Sequence, residues 1–179
     1  MRRRQHGPSS LFASVEKWFR PPQGLDLDHN RQRKGTMATT TSHAPEGDAP
    51  HFEWRGTFAN EELNALHAEC FEHRLFDDDW WKQVNHFSLG WVCMRVAGEL
   101  AGFVNVAWDG GVHAFLLDTM VRPALQRRGH ATALVQAAVS HARASGCEWL
   151  HVDFDAHLRD FYFRDCGFQP TDAGLVQLR

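Results

Sequence analysis

The sequence predicts a mixed α/β fold, a central sheet flanked by helices, antiparallel in its early strands and parallel at its end. Three observations predict it. Two tight glycine turns, Ala97-Gly98 and Asp109-Gly110-Gly111, separate apolar segments and read as consecutive hairpins. The segments Val112 to Val121, Gly129 to Ala144 and Trp149 to Phe154 read as one strand–helix–strand crossover, which makes its two strands parallel. Apolar residues make up 43% and charged residues 23% of the 179, enough for a real core.

The elements follow in order. His51 to Gly56 alternates apolar and polar residues and predicts a first strand. Asn60 can cap a helix whose Leu63, Leu66, His67, Cys70 and Phe71 share one face. Asp77-Asp78-Asp79-Trp80-Trp81 opens a second segment to about Phe87, where acids suit a helix N-terminus or form an acidic, aromatic rim. Trp91 to Val96 and Leu100 to Trp108 are strands, and Val112 to Val121 is a third, ended by Pro123. In the next helix Ala131, Leu134, Val135, Ala138 and Ala142 make the buried stripe, and Gly146 stops it. Trp149 to Phe154 is a strand and Leu158 to Cys166 a short helix. Gly167-Phe168 returns to extended chain, and Leu175 to Leu178 is a last strand, exposed enough to pair between two subunits of a homodimer. Trp54, Trp91, Trp108 and Trp149 fall in strands, as core or cleft wall.

Charge divides the chain. Residues 1–36 carry eight Lys/Arg and three Asp/Glu, a net +5, whereas the remainder carries eleven and nineteen, a net −8. Residues 36–50 have the Thr-, Ala- and Pro-rich composition of a linker. Residues 1–50 are therefore expected to be a basic, disordered extension and residues 51–179 the folded domain. The extension reads as a basic tail for nucleic acid or a membrane surface, as a targeting segment, or as upstream sequence before a true start at Met37. No apolar run is long enough to span a membrane. Four cysteines, Cys70, Cys93, Cys147 and Cys166, lie far apart, which suits reduced thiols in a cytoplasmic protein. His151, Asp153, Asp155 and His157 alternate, a pattern strand pairing accounts for, so no metal is expected.

The informative segment is Val121-Arg122-Pro123-Ala124-Leu125-Gln126-Arg127-Arg128-Gly129-His130-Ala131. A strand ends and a helix starts at a glycine within a basic cluster. Open N–H groups at such a start attract phosphate, and the helix dipole adds to this. Gly129 leaves room for close approach, and Arg127 and Arg128 supply charge. The alternative is a solvated Arg pair at an ordinary turn. No Gly-Lys-Ser/Thr follows, and the further glycines of a dinucleotide fingerprint are missing.

Gln126-Arg127-Arg128-Gly129-His130-Ala131 resembles the Gln/Arg-x-x-Gly-x-Gly/Ala signature of the GNAT superfamily of N-acetyltransferases. Thr119-Met120-Val121 and Pro123 match the strand end before it, and Phe161 to Phe168 resembles the later helix that ends in Gly-Phe. The resemblance covers about residues 51–179. It implies the GNAT acyl-CoA fold, with acetyl-CoA as co-substrate in a gap where two parallel strands splay apart. It implies that N–H groups of residues 127–132 (Arg127, Arg128, Gly129, His130, Ala131, Thr132) hold the pyrophosphate, and that Thr119, Met120 and Val121 pair with the pantetheine arm. A backbone N–H in that strand would polarise the thioester. The amine of a small molecule or peptide would attack directly.

The acid and the base depart from the family pattern. The usual tyrosine, four residues before the glycine of Gly-Phe, is Phe163 here. Tyr162, the only tyrosine, lies one place earlier, about 100° round a helix. A local bulge would aim it at the sulfur; otherwise solvent protonates the thiolate. For the base, alternation places Trp149, His151 and Asp153 on one face, which the resemblance implies looks toward the cleft, since the family often has an acidic residue at the slot of His151; histidine suits proton transfer near neutral pH. Asp118 is a second candidate, on the face opposite to Thr119 and Val121. The acidic body favours a cationic acceptor, and Phe163 keeps open a CoA-binding module without turnover.

Overall fold

The computed structural model describes residues 49–178. The basic segment, most of the linker and Met37 lie outside the described residues. The chain forms β1 (His51–Trp54), α1 (Asn60–Phe71), α2 (Trp80–Phe87), β2 (Ser88–Val96), β3 (Glu99–Trp108), β4 (His113–Val121), α3 (His130–Ala144) and β5 (Trp149–His151). Short 3₁₀ turns lie at Pro123–Leu125 and Ala156–Leu158, and a π-helical turn at Asp160–Asp165.

The five strands form one sheet in the order β1-β2-β3-β4-β5. The first three pairings are antiparallel and β4–β5 is parallel. Alternation along the strands feeds two cores. Val92, Met94, Val104, Val106 and Leu116 pack with Leu134, Val135 and Ala138 of α3. Trp91, Cys93, Phe103 and Met120 face the other way and pack with Leu63 and Leu66 of α1 and Val84 of α2. Single polar or small positions fit this packing. The Trp54 ring lies across Gly90, where a Cβ would meet it at 2.3 Å, and stacks on His141 of α3 at 4.4 Å.

The β2–β3 turn works because both central residues take positive φ, 50° at Ala97 and 83° at Gly98, the conformation a two-residue hairpin needs. Arg95 then ties this hairpin to α1 through a two-pronged bond to Glu62, at 3.0 and 2.9 Å. That bond holds the Glu62 carboxyl below its usual range.

Several expectations are corrected. Ala59, not Asn60, is the cap of α1, and Glu62 reaches back to the Ala59 N–H at 3.0 Å. Asn60 instead bonds Asp79 Oδ1 and the Trp81 N–H, fastening α2 to α1. Asp79 caps α2 by accepting from the Lys82 N–H at 3.1 Å. The strand from Trp149 pairs only as far as His151. The helix expected from Leu158 to Cys166 is a 3₁₀ turn followed by a π turn.

No strand forms after Gly167 among the described residues, and Leu175, Val176 and Leu178 are exposed. Pro170 lacks a donor, and Gly174 interrupts the run, so too little chain is left to make a ladder. The strand on which pairing between subunits was to rest is absent. Trp149 and Trp108 are also largely exposed, at 60% and 41%, and not core.

Candidate active site

The site begins where two parallel strands part. β4 and β5 pair at His113↔Trp149, Ala114↔Leu150 and Phe115↔His151, and there the pairing ends. β4 runs on to Val121 beside β3, while the chain after His151 turns away. A β-bulge falls in this unpaired stretch. Between Phe103↔Met120 and Asn105↔Leu117, β4 carries one residue more than β3. Asp118 absorbs the misfit with φ of 52°, which aspartate tolerates better than most residues. A bulge twists and re-aims the strand. It brings Asp118, Thr119 and Val121 to line a single cavity of about 820 Å³. Strict alternation had set Asp118 on the opposite face, and the inserted residue is the reason it is not.

The far wall comes from the turn before α3. Gln126, Arg127, Gly129, Ala131 and Thr132 all line the cavity. Gln126 fixes this turn to the strand by donating from Nε2 to the Val121 carbonyl at 2.9 Å. Gly129, at φ 82°, is the N-cap of α3, and no atom lies within 4 Å of where a Cβ would stand. No side chain caps the helix. Its first backbone bond is Ala133 N–H to the Gly129 carbonyl at 3.0 Å, so the N–H groups of His130, Ala131 and Thr132 precede the helical ladder. This is the arrangement that receives an anion. Arg128 and His130 flank the cavity without lining it, and the Met120 side chain is buried among α1 and α2 residues, so from Met120 only the main chain is presented.

Tyr162 does line the cavity, and Phe163 does not. The cause is the π turn, closed by Cys166 N–H to the Phe161 carbonyl at 2.9 Å, five residues back. A wider turn holds one extra residue between fixed points. The residue five before Gly167 therefore takes the place an α-helix gives to the residue four before it. The Tyr162 ring stacks on Phe154 at 4.6 Å, and its hydroxyl bonds Thr119 on the bulge. Burial pushes its pKa up to about 12.

His151 is placed elsewhere. It is exposed, bonds His113 (Nε2 to Nδ1, 2.8 Å), stacks on Phe115 at 4.9 Å and does not line the cavity. Asp118 lines it. Burial raises the Asp118 pKa to about 6, against a hydrogen bond from Asn105 that lowers it. Asp153, Asp155 and Asp165 also line the cavity, with Arg127 as the basic residue among them. Two positions escaped the sequence reading. Gln126 was read only as a signature residue, and Asn105 was not singled out at all, although a lone polar residue inside Phe103-Val104-Asn105-Val106 is a signal.

Comparison with solved structures gives the same architecture. A GNAT-family acetyltransferase from Streptococcus pneumoniae superposes with a TM-score of 0.58 at 18% identity, over 73% of this chain and 98% of that one. An aminoglycoside N-acetyltransferase in complex with CoA gives 0.60 at 17% identity, over 76% and 98%. A glucosamine-6-phosphate N-acetyltransferase from Arabidopsis thaliana gives 0.57 at 12%, over 71% and 97%. No match was found among curated proteins. The model of the acetyltransferase (GNAT) family matches residues 54–168, from the end of β1 through the splayed strands to the residue after Gly167. The chain belongs to the GNAT family of N-acetyltransferases.

Proposed function

We propose that this protein moves an acetyl group from acetyl-CoA to a primary amine of a small molecule or peptide, by direct attack in a ternary complex. One observation carries the reading. The gap between β4 and β5 opens onto the uncapped start of α3 at one wall and onto Asp118 and Tyr162 at the others. The pyrophosphate of the donor fits the N–H groups of residues 130–132 and the space over Gly129, with Arg127 beside it. The bulged strand, Thr119 to Val121, lies where an extended pantetheine arm can pair with it.

Asp118 is assigned as the base in preference to His151, because it lines the cavity and His151 does not. A carboxyl with a pKa near 6 is mostly ionised at pH 7 yet still takes a proton readily. The amine nitrogen attacks the thioester carbon, so the C–N bond forms and the C–S bond breaks. Asp118 accepts the proton that the nitrogen sheds, and Tyr162 gives its hydroxyl proton to the departing sulfur. Water then carries the proton from Asp118 back to Tyr162, leaving an amide and free CoA thiol. A pKa of about 12 keeps Tyr162 protonated at neutral pH, so the donor form is always present.

The acceptor has room over Leu117, which is 40% exposed and part of the cavity wall. The carboxylates of Asp153 and Asp155 favour a cationic body on that acceptor, whereas Asp165 is already paired with Arg164 at 2.8 Å. A screen of amines and lysine peptides, read by mass gain of one acetyl group, tests the proposal. Cationic amines should be modified first. Labelling of none, under conditions where acetyl-CoA binds, would support a binding module instead.

A further inference from the structure

Two polar side chains are buried in the described core, Asn64 at 4% and Asn105 at 2% exposure. Burying an amide is costly unless its donors and acceptor are bonded, so each should have a use. That of Asn64 is local. Its Nδ2 donates to the Asp78 carbonyl, and its Oδ1 accepts from the Asp78 N–H and Trp80 Nε1, which anchors the start of α2. Asn105 is different. It stands mid-strand in β3 beside the bulge, and its partners come from both neighbouring strands. Ser88 Oγ of β2 donates to its Oδ1 at 2.6 Å. With the oxygen so engaged, the NH₂ group is left to donate on the other side, towards β4, where Asn105 is in register with Leu117 and the bulge sets the next residue, Asp118, as its carboxylate acceptor. A hydrogen-bonded chain thus crosses three strands and ends in the cavity.

We infer that Asn105, itself oriented by Ser88, is a positioning residue that holds the Asp118 carboxylate in place for proton transfer. The inference rests on the reading of Asp118 as the base. Asparagine suits the task because it donates firmly and cannot take the proton itself. Asp118 also needs such a tether, since its backbone is in the left-handed region of an interrupted ladder, where fewer strand bonds fix it.

The direction of the effect follows from the chemistry. The Asn105 bond stabilises the charged form of Asp118, against burial, which destabilises it. The other ionisable groups round the cavity are Asp153, Asp155, Asp165, Arg127 and Tyr162, and none of them figures among the causes of the Asp118 shift. Phe71 of α1 and Thr132 of α3, which also line the wall, carry no charge. Removing the donor should therefore raise the Asp118 pKa.

The test needs no knowledge of the acceptor. Carboxyl-carbon NMR of aspartate-labelled protein with CoA added, compared with Asp118→Asn to assign the signal, follows the titration directly. Asn105→Leu should move the Asp118 midpoint up by about one to two pH units, the usual worth of a bond to a charged group. Ser88→Ala, a milder change nearer the surface, should move it the same way by less, which covers the case in which Asn105→Leu does not fold. Tight CoA binding should persist in both. An unmoved midpoint in a folded Asn105→Leu protein, or in Ser88→Ala if only that folds, overturns the inference. Thiol release from acetyl-CoA with spermidine and a lysine peptide separates it from the reading beneath it. If the midpoints move as expected but Asp118→Asn releases thiol as fast as wild type, the hydrogen-bonded chain stands and Asp118 is not the base.

Discussion

Asp118, the proposed base, is costly to the fold for the same reason that it suits the reaction. Its folded pKa of about 6 lies above the ordinary 3.8, so ionisation opposes folding. The cost is absent below about pH 4, grows between pH 4 and 6, and is complete above that. Asp118→Asn keeps a residue type that accepts positive φ. At pH 8 it should raise stability by about 1–3 kcal/mol, read by thermal unfolding, while kcat/KM falls about 10²–10⁴-fold. Tyr162 gives a second residue-scale expectation. Tyr162→Phe should lower kcat about 10²-fold without weakening CoA binding. Adding Phe163→Tyr to it should not restore the rate, because the π turn directs position 163 away from the cavity; recovery in the double variant would mean that the turn is α-helical in solution. A bulge that would re-aim Tyr162 could be foreseen, but neither its form nor the bulge at Asp118, for a common reason. Periodicity assumes a fixed number of residues per turn and per pleat, whereas both Tyr162 and Asp118 owe their positions to one inserted residue, in a π turn and in a bulge. Asn105 was readable as an oddity, but not its partners.

The elements were more legible. Hairpins, crossover and the glycine start of α3 follow from local patterns, and each formed. The chemistry that makes an element start was harder to read than its existence: Ala59 is the cap where Asn60 looked better, because Glu62 takes the Ala59 N–H while the Asn60 side chain is held by α2. The last strand failed because pairing needs a partner and length, which alternation alone does not supply. At this scale two substitutions separate packing from binding. Gly90→Ala forces a Cβ into the Trp54 ring and should destabilise the protein by about 1–3 kcal/mol, seen as a lower denaturant midpoint. Gly129→Glu has open space but sets a bulky charge at φ 82° before α3. It should abolish CoA binding in calorimetry through charge and backbone strain, yet leave the core intact.

Across the whole molecule, charge and cavity agree. Residues 37–179 carry a net −8, and in a largely apolar cavity whose other charged residues are aspartates Arg127 is the basic one, set beside the start of α3. That placement is what the proposed seat of the donor's phosphates at α3 requires. Every described residue of the two cores lies well after Met37. A chain begun at Met37 should therefore match the full chain in thermal unfolding and acetyl transfer; salt-sensitive DNA binding lost on that truncation would give the basic segment a role of its own. The central claim, that the splayed cavity transfers acetyl groups and does more than hold CoA, is tested most directly by free-thiol release from acetyl-CoA across an amine panel, with Gly129→Glu as control. The account predicts amine-dependent release that the control lacks. Tight CoA binding with no release from any amine would contradict it.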